Sequence, residues 1–549
     1  MSDASRLADE YWNFYRTHDH FTALWEGDLD HLEEWDDLSE EGLAARRAGL
    51  ADIASRAEAA REGAEFAEDA TLSTVSWHAR AAAASTEAAA ELEVHNPVVG
   101  AYSALAAFLP RYTLVTEDHG HRYLDKLRAL PGLVDQMIGG LERGRARGWI
   151  PIDLHVQMMI DTLDRALGTE PQNDALAGQP PPREGEHPGW SDRIVDIIRH
   201  EVRPAFLRYR HALETISLPA APPADQPGLC HLDGGTDLYR RLIAGFTTTS
   251  LSPEEIHARG LEQVARLDEE YRQLGGSAFG TPELAEIYAR LREDTSLHYH
   301  DVDTLIADAT EMFHRARAEA PKWFRRVPVS DCEVRPTKAG AMAFYSSPNP
   351  DTGKPAAFYF NIADPSLWGP QLASTTFHEG IPGHHFDLAR SVENEDMHLV
   401  QRKLYIASFN EGWALYSERL ADEMGLFRND IERLGMLAAD SLRACRLVVD
   451  TGMHLHGWSR DRAVRYMVEN SPLPQGEIEA EIDRYIGNPG QAVSYMIGRL
   501  EIDAARRHAE DALGSAFDIA DFHEAVLGHG TIPLETMRRS VEAWVASMA

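Results

Sequence analysis

One stretch restricts the fold more than any other: Phe377-His378-Glu379-Gly380-Ile381-Pro382-Gly383-His384-His385-Phe386-Asp387. It sets a His-Glu pair and a His-His pair on either side of Pro-Gly. An undistorted helix cannot accommodate it. Pro382 has no N–H, and its ring strikes the carbonyl four residues back, that of His378. Gly383 permits dihedrals closed to other residues. The stretch opens like the helical zinc motif HExxH, in which two histidines four apart share a face and the Glu activates water. Here proline stands where the second histidine belongs. On a straight helix His385 returns to the azimuth of His378, but ~10.5 Å further along the axis. Two zinc–nitrogen bonds of ~2.0–2.1 Å cannot span that rise. A bulge that absorbs two residues makes His384 the second ligand, whereas one that absorbs three makes it His385. The smaller deformation favours His384. His385 is then left to face the substrate or to support a ligand from behind.

A third ligand is expected on a later helix. Asn410-Glu411-Gly412-Trp413-Ala414-Leu415-Tyr416-Ser417-Glu418 opens a helical run that ends near Gly425. Glu411 is the natural metal ligand. Glu418, two turns on along the same face, can accept a hydrogen bond from an imidazole N–H. His378, His384 and Glu411 leave a fourth position for water, as a catalytic zinc site requires. Glu379 then handles the proton. A donor for the developing oxyanion is expected from Tyr495, with Tyr485 second. Both lie in Tyr485-Ile486-Gly487-Asn488-Pro489-Gly490-Gln491-Ala492-Val493-Ser494-Tyr495. His454, in Asp450-Thr451-Gly452-Met453-His454, is a further candidate donor. Trp413 and Trp458 read as core residues. The histidines of 118–121 and 298–300 have no later partner and read as structural.

Composition excludes several functions. With 88 Asp plus Glu against 53 Lys plus Arg, the formal charge is −35. Nucleic-acid binding needs a cationic face, and anionic lipid repels such a chain, so neither is an expected partner. Cys230, Cys332 and Cys445 are far apart and form no CxxC pair, which fits a reducing compartment. The N-terminus is acidic where a signal peptide is basic, and no apolar run reaches the ~20 residues of a membrane span. The expected location is the cytoplasm.

The chain reads as mainly α. Segments 41–66 and 77–94 are rich in Ala, Glu and Arg, which favours helix. Pro and Gly cluster at 169–191 and 218–229 around a helix near 192–216, and a soft boundary near 220 divides an N-terminal helical region, 1–220, from a catalytic region, 221–549. Ser252-Pro253-Glu254-Glu255 is a capping box, with a helix expected to about Leu274. Residues 333–335, 342–345 and 356–362 read as short strands, and 346–354 as a hairpin connection. Together they predict a small antiparallel β subdomain before the metal-binding helix. The last strand, 356–362, is the expected edge for an extended peptide.

Residues 377–387, 411–418, 450–458 and 485–498 resemble the bacterial family filed as domain of unknown function 885, whose members show HExxPGHH, EGWAxY, DTGxHxxGW and PGQAxSYxxG in this order. The resemblance covers most of the chain and implies a large helical zincin-like metallohydrolase. The design is distantly similar to helical gluzincin peptidases, which keep HExxH. The expected activity is a zinc-dependent hydrolase, foremost a metallopeptidase, acting on a peptide or small amide. The alternatives are a hydrolase of esters or small amides, and an inactive binding protein. An exopeptidase needs a charged clamp for a chain terminus, for which Arg499 is a weak candidate.

Overall fold

The computed structural model describes residues 2–21, 28–338, 341–349 and 353–548. Helices run from Asp3–His18 to Leu534–Met548, and three short strands form one small sheet. The helix starts obey local chemistry. Ser252 Oγ accepts from the Glu255 N–H, and the Glu255 carboxylate accepts from the Ser252 N–H at 2.8 Å. This helix continues past the expected end at Leu274 and spans Pro253–Phe279. Gly275 reads as a terminator but is a contact point. A Cβ there would lie 2.2 Å from Ile287 Cδ1, so the glycine lets helix Leu284–Glu293 cross closely. Segments 41–66 and 77–94 appear as Glu40–Ala60 and Phe66–Ala89. The run near 192–216 is helical but uneven. Trp190–Ile197 and Arg203–Ala212 alternate with the wider turns Ile198–Val202 and Leu213–Ser217.

The largest apolar core gathers side chains from Ala70 to Val541, and a second lies wholly between Leu32 and Leu213. The N-terminal helices also pack on later ones. Ala70, Ala84 and Ala88 join the largest core, and Val400 and Leu404 pack with Leu7 and Leu50. Among the described residues, no helix is long and apolar enough to cross a membrane. The three cysteines are free thiols.

The strands are β1 (Cys332–Thr337), β2 (Ala343–Ser346) and β3 (Ala356–Asn361), in the order β1-β3-β2. β2 and β3 pair antiparallel, as the hairpin pattern predicts, while β1 joins β3 in parallel, so the sheet is mixed. Part of the predicted connection, 350–352, lies outside the described residues. β3 is the central strand and is not the expected free edge. Its Ala356, Ala357, Phe358 and Phe360 are buried, as a strand covered on both faces requires. The edge next to the large cavity belongs to β2.

The helix Ala407–Glu423 crosses Ser494–Leu513 at two glycines. A Cβ on Gly498 would sit 1.8 Å from the Ser408 carbonyl oxygen, and one on Gly412 2.5 Å from Gly498 Cα. Backbone-to-backbone contact at this point fixes the helix that carries Glu411.

Candidate metal centre

His378 and Glu379 end the helix Gln371–Glu379, and His384 begins the helix His384–Glu393. The expected bulge is therefore a complete break. Gly380 leaves the helix at φ −100, ψ −124, the Ile381–Pro382 peptide is cis, and Gly383 lies at φ −83, ψ −128. The chain folds back under the helix end, where the Gly383 N–H donates to the Phe377 carbonyl at 3.0 Å. A Cβ at Gly383 would lie 2.0 Å from the His378 carbonyl oxygen, so only glycine allows this approach. Trp413 is core, as expected, and its indole N–H also donates to the Pro382 carbonyl at 2.8 Å, which holds the break from the opposite side. Asn410 ties the same helix to the second histidine helix through Asp387 at 2.6 Å.

This backbone brings His378, His384 and Glu411 together. One ligand atom from each lies within 4.8 Å of the others. His378 Nε2 is 3.5 Å and His384 Nε2 3.3 Å from Glu411 Oε2, and the two rings are nearly perpendicular at 86°. Donors bound tetrahedrally to one zinc at ~2.0–2.1 Å stand ~3.4 Å apart, so the cluster fits that ion. Two imidazoles and a carboxylate are also its usual ligand chemistry.

Behind the cluster, His378 Nδ1–H donates to Glu418 Oε1 at 2.8 Å, and Ser374 Oγ donates to the other Glu418 oxygen. This bond fixes the tautomer and directs the Nε2 lone pair at the cluster. In the metal-free chain burial opposes charge on the ring, but hydrogen bonds to Glu411 and Glu418 outweigh it and hold His378 at about 9, so metal binding there would release the Nε2 proton. Glu418→Gln is expected to weaken zinc binding by about 10–100-fold while the fold survives. Competition with a chelator checks this; unchanged affinity would remove Glu418 from the site.

Glu379 is beside the cluster but outside it. It is 6% exposed, and its Oε2 has no hydrogen-bond partner among the described residues. Burial raises its pKa, while the neighbouring His384 and His378 pull it down. Glu379, the three clustered side chains and Tyr495 share the wall of a cavity of about 2040 Å³.

The remaining expected residues divide. Tyr495 lines the cavity, and its hydroxyl is pushed up to about 12 by burial and then by the Glu411 charge. Of the two roles expected for His385, facing the substrate is not the one its position fits, because it does not line the cavity. It is fully buried, donates from Nε2 to the Ser330 carbonyl and accepts at Nδ1 from the Tyr345 hydroxyl, both at 3.2 Å. Burial lowers it to about 4, so it is a neutral brace between the helix and the sheet. His454 is also structural. Its Nδ1 accepts from the Leu229 N–H at 3.2 Å, its Nε2 donates to the Tyr485 carbonyl at 3.1 Å, and it lies outside the cavity wall. Tyr485 is fully buried and bonded to Arg446 and Glu481. Arg499, 3% exposed, pairs with Asp440 at 2.6 Å and clamps nothing. Trp458 is core as expected, its ring filling the space a side chain on Gly452 would need. Asp450 accepts from Tyr239 and from the Gly490 N–H, so the DTG motif anchors the loop that carries Gln491 and Tyr495 to the cavity wall.

Tyr405 escaped the sequence reading. It lines the cavity, 40% exposed, with its ring 6.4 Å from that of His384. It stands just before the Glu411 helix in a run, Arg402-Lys403-Leu404-Tyr405-Ile406, with no chemical signature.

These features define a mainly helical protein with a small mixed sheet and a buried two-histidine, one-glutamate cluster open to a deep cavity. The chain belongs to the family described as "Bacterial protein of unknown function (DUF885)", matched over residues 22–541. Comparison with curated proteins finds no match. Among solved structures, the chain is similar to one titled "putative lipoprotein from Colwellia psychrerythraea", at 25% identity and a TM-score of 0.89, with 100% of both chains covered. It is also similar to a "putative lipoprotein of unknown function from Shewanella oneidensis", at 17% identity and a TM-score of 0.73, covering 98% of this chain and 99% of that one. The second likeness concerns the fold alone.

Proposed function

We propose that this chain is a zinc-dependent hydrolase of peptide or amide bonds. The carrying observation is Glu379, a buried carboxylate with an unpaired oxygen, set beside a cluster of two imidazoles and one carboxylate on the wall of a large cavity. A zinc ion bound by His378, His384 and Glu411 supplies Lewis acidity, which polarises a carbonyl and acidifies water. Glu379 accepts the proton of the attacking water and returns it to the leaving nitrogen. Tyr495 and Tyr405, both on the cavity wall, supply phenol groups able to donate to the oxygen where negative charge develops. Glu418 keeps His378 in the tautomer that binding needs. β2 offers main-chain groups to an extended peptide along the cavity. The free cysteines support a reducing compartment and hence the cytoplasm.

The test is metal content together with turnover. Protein purified without chelator or affinity nickel is expected to carry about one zinc per chain. It should cleave members of a quenched-fluorescent peptide pool, lose that activity to chelator, and regain it with zinc. Protein that takes up no metal would overturn the reading in favour of a binding protein. Metal with cleavage of esters or small amides alone would overturn the peptidase part.

A further inference from the structure

We propose that Arg443 and Arg446 form a carboxylate-binding site next to the metal centre, so that the substrate is held by its free C-terminal carboxylate. The hydrolysis this serves rests on the reading above; the binding site itself does not. Both arginines project from helix Asp430–His454 one turn apart, on the same face, and both line the cavity that holds the His378 cluster.

Arg446 is 5% exposed. Its Nε donates to the Tyr485 hydroxyl and its Nη2 to Glu481, each at 2.7 Å. Its Nη1 is buried with no partner among the described residues, and so is Nε of Arg443. Arg443 donates through Nη1 to the Ala439 carbonyl at 3.2 Å, and its Nη2 stands 4.0 Å from Glu418. A buried charged group with an unmet donor is costly unless a ligand completes it.

Glu481 and Glu418 already face the pair, so the site rests on unmet N–H donors rather than on an excess of charge. Arg484 is satisfied by Glu481 and by the Gln491 side chain at 2.7 Å. Glu481 is thereby shared between Arg446 and Arg484. Glu477, a further carboxyl on the cavity wall, is pushed up to about 7 by burial and by Glu481. Guanidinium groups with open N–H donors are suited to bind a carboxylate through paired, charge-assisted hydrogen bonds.

The pair also lies beside the reacting centre. Arg443 Nη2 is 4.0 Å from Glu418, which braces His378 from behind at 2.8 Å, and the Arg443 charge also acts on Glu379. Tyr495 stands between Glu411 and Arg446, whose guanidinium is 4.4 Å from its ring centroid. A carboxylate on the arginines therefore places a nearby amide within reach of the cluster. The enzyme takes peptides or acyl-amino acids with a free C-terminus and releases short fragments from that end.

Calorimetric titration of the full metal-free chain tests this without turnover, using N-acetyl-Ala-Ala, its C-terminal amide, and N-acetyl-Ala-Glu-amide. The acid is expected to bind about tenfold or more tightly than its amide, and Arg443→Gln or Arg446→Gln should erase the difference. Arg443→Gln guards against the case in which Arg446→Gln misfolds, since Arg443 has the weaker packing contacts. Equal binding of acid and amide by the wild type, or a preference that survives Arg443→Gln in folded protein, overturns the site. Tight binding of the glutamyl amide alone overturns the C-terminal assignment. A preference for the acid in a protein that never turns over leaves the site standing and removes only the hydrolase reading.

Discussion

Glu379→Gln is expected to leave zinc content and fold intact and to lower kcat by about 10²–10⁴-fold, the range a positioned proton-transfer group contributes. Glutamine keeps the shape of the side chain and its hydrogen bonding. It loses the ability to take a proton from water and hand it on. Metal retention is part of the expectation, because the clustered donors are His378, His384 and Glu411. Folding should not suffer, since the substitution removes a charge from a site where burial already disfavours it. Single-turnover cleavage of the best peptide, alongside zinc by mass spectrometry, separates the two effects. Turnover within tenfold of wild type would sink the proton-transfer role, and zinc loss would make Glu379 a ligand.

The second large effect is a contrast between adjacent histidines. His384→Ala should abolish stable zinc binding, because one of three protein donors is gone and the neighbour cannot replace it. His385 has both ring nitrogens committed, to Tyr345 and Ser330, on the far side of its helix. His385→Ala should therefore keep its zinc but lose stability. It strands a buried hydroxyl and a carbonyl at ~1–3 kcal/mol each, with a cavity term in addition. Zinc content and thermal unfolding of both variants check this, and the opposite pattern would exchange the roles of the two residues.

The chemistry of the centre was more legible in the sequence than its backbone. His378 and His384 follow from residue type around the Pro-Gly interruption, Glu411 from the need for a third donor, and Glu418 from its helical spacing to Glu411. The break after Glu379 does not. It depends on Gly383 lying on the Phe377 and His378 carbonyls and on Trp413 reaching Pro382 from another helix. His454 and Arg499 have the chemistry of site residues, but their partners, Leu229 and Asp440, are remote in sequence. Only packing distinguishes such a brace from a catalyst. The parallel addition of β1 was hidden for a related reason: neighbouring strands favour a hairpin, and the strand order is set by what the sheet covers. Arg443 and Arg446 sit in an ordinary-looking apolar helix, and what distinguishes them is the incomplete hydrogen bonding of their buried ends.

The three clustered side chains stand on three separate helices, two of them joined by a short buried turn held by Phe377 and Trp413. An ion held there acts as a removable cross-link. It binds the folded chain and not the open one, and at a free concentration a thousand times its dissociation constant it adds ~4 kcal/mol to stability. On the proposed reading, the lifetime of the protein in the cell would be tied to metal supply. Scarcity would thin the population through unfolding and proteolysis as well as silence it.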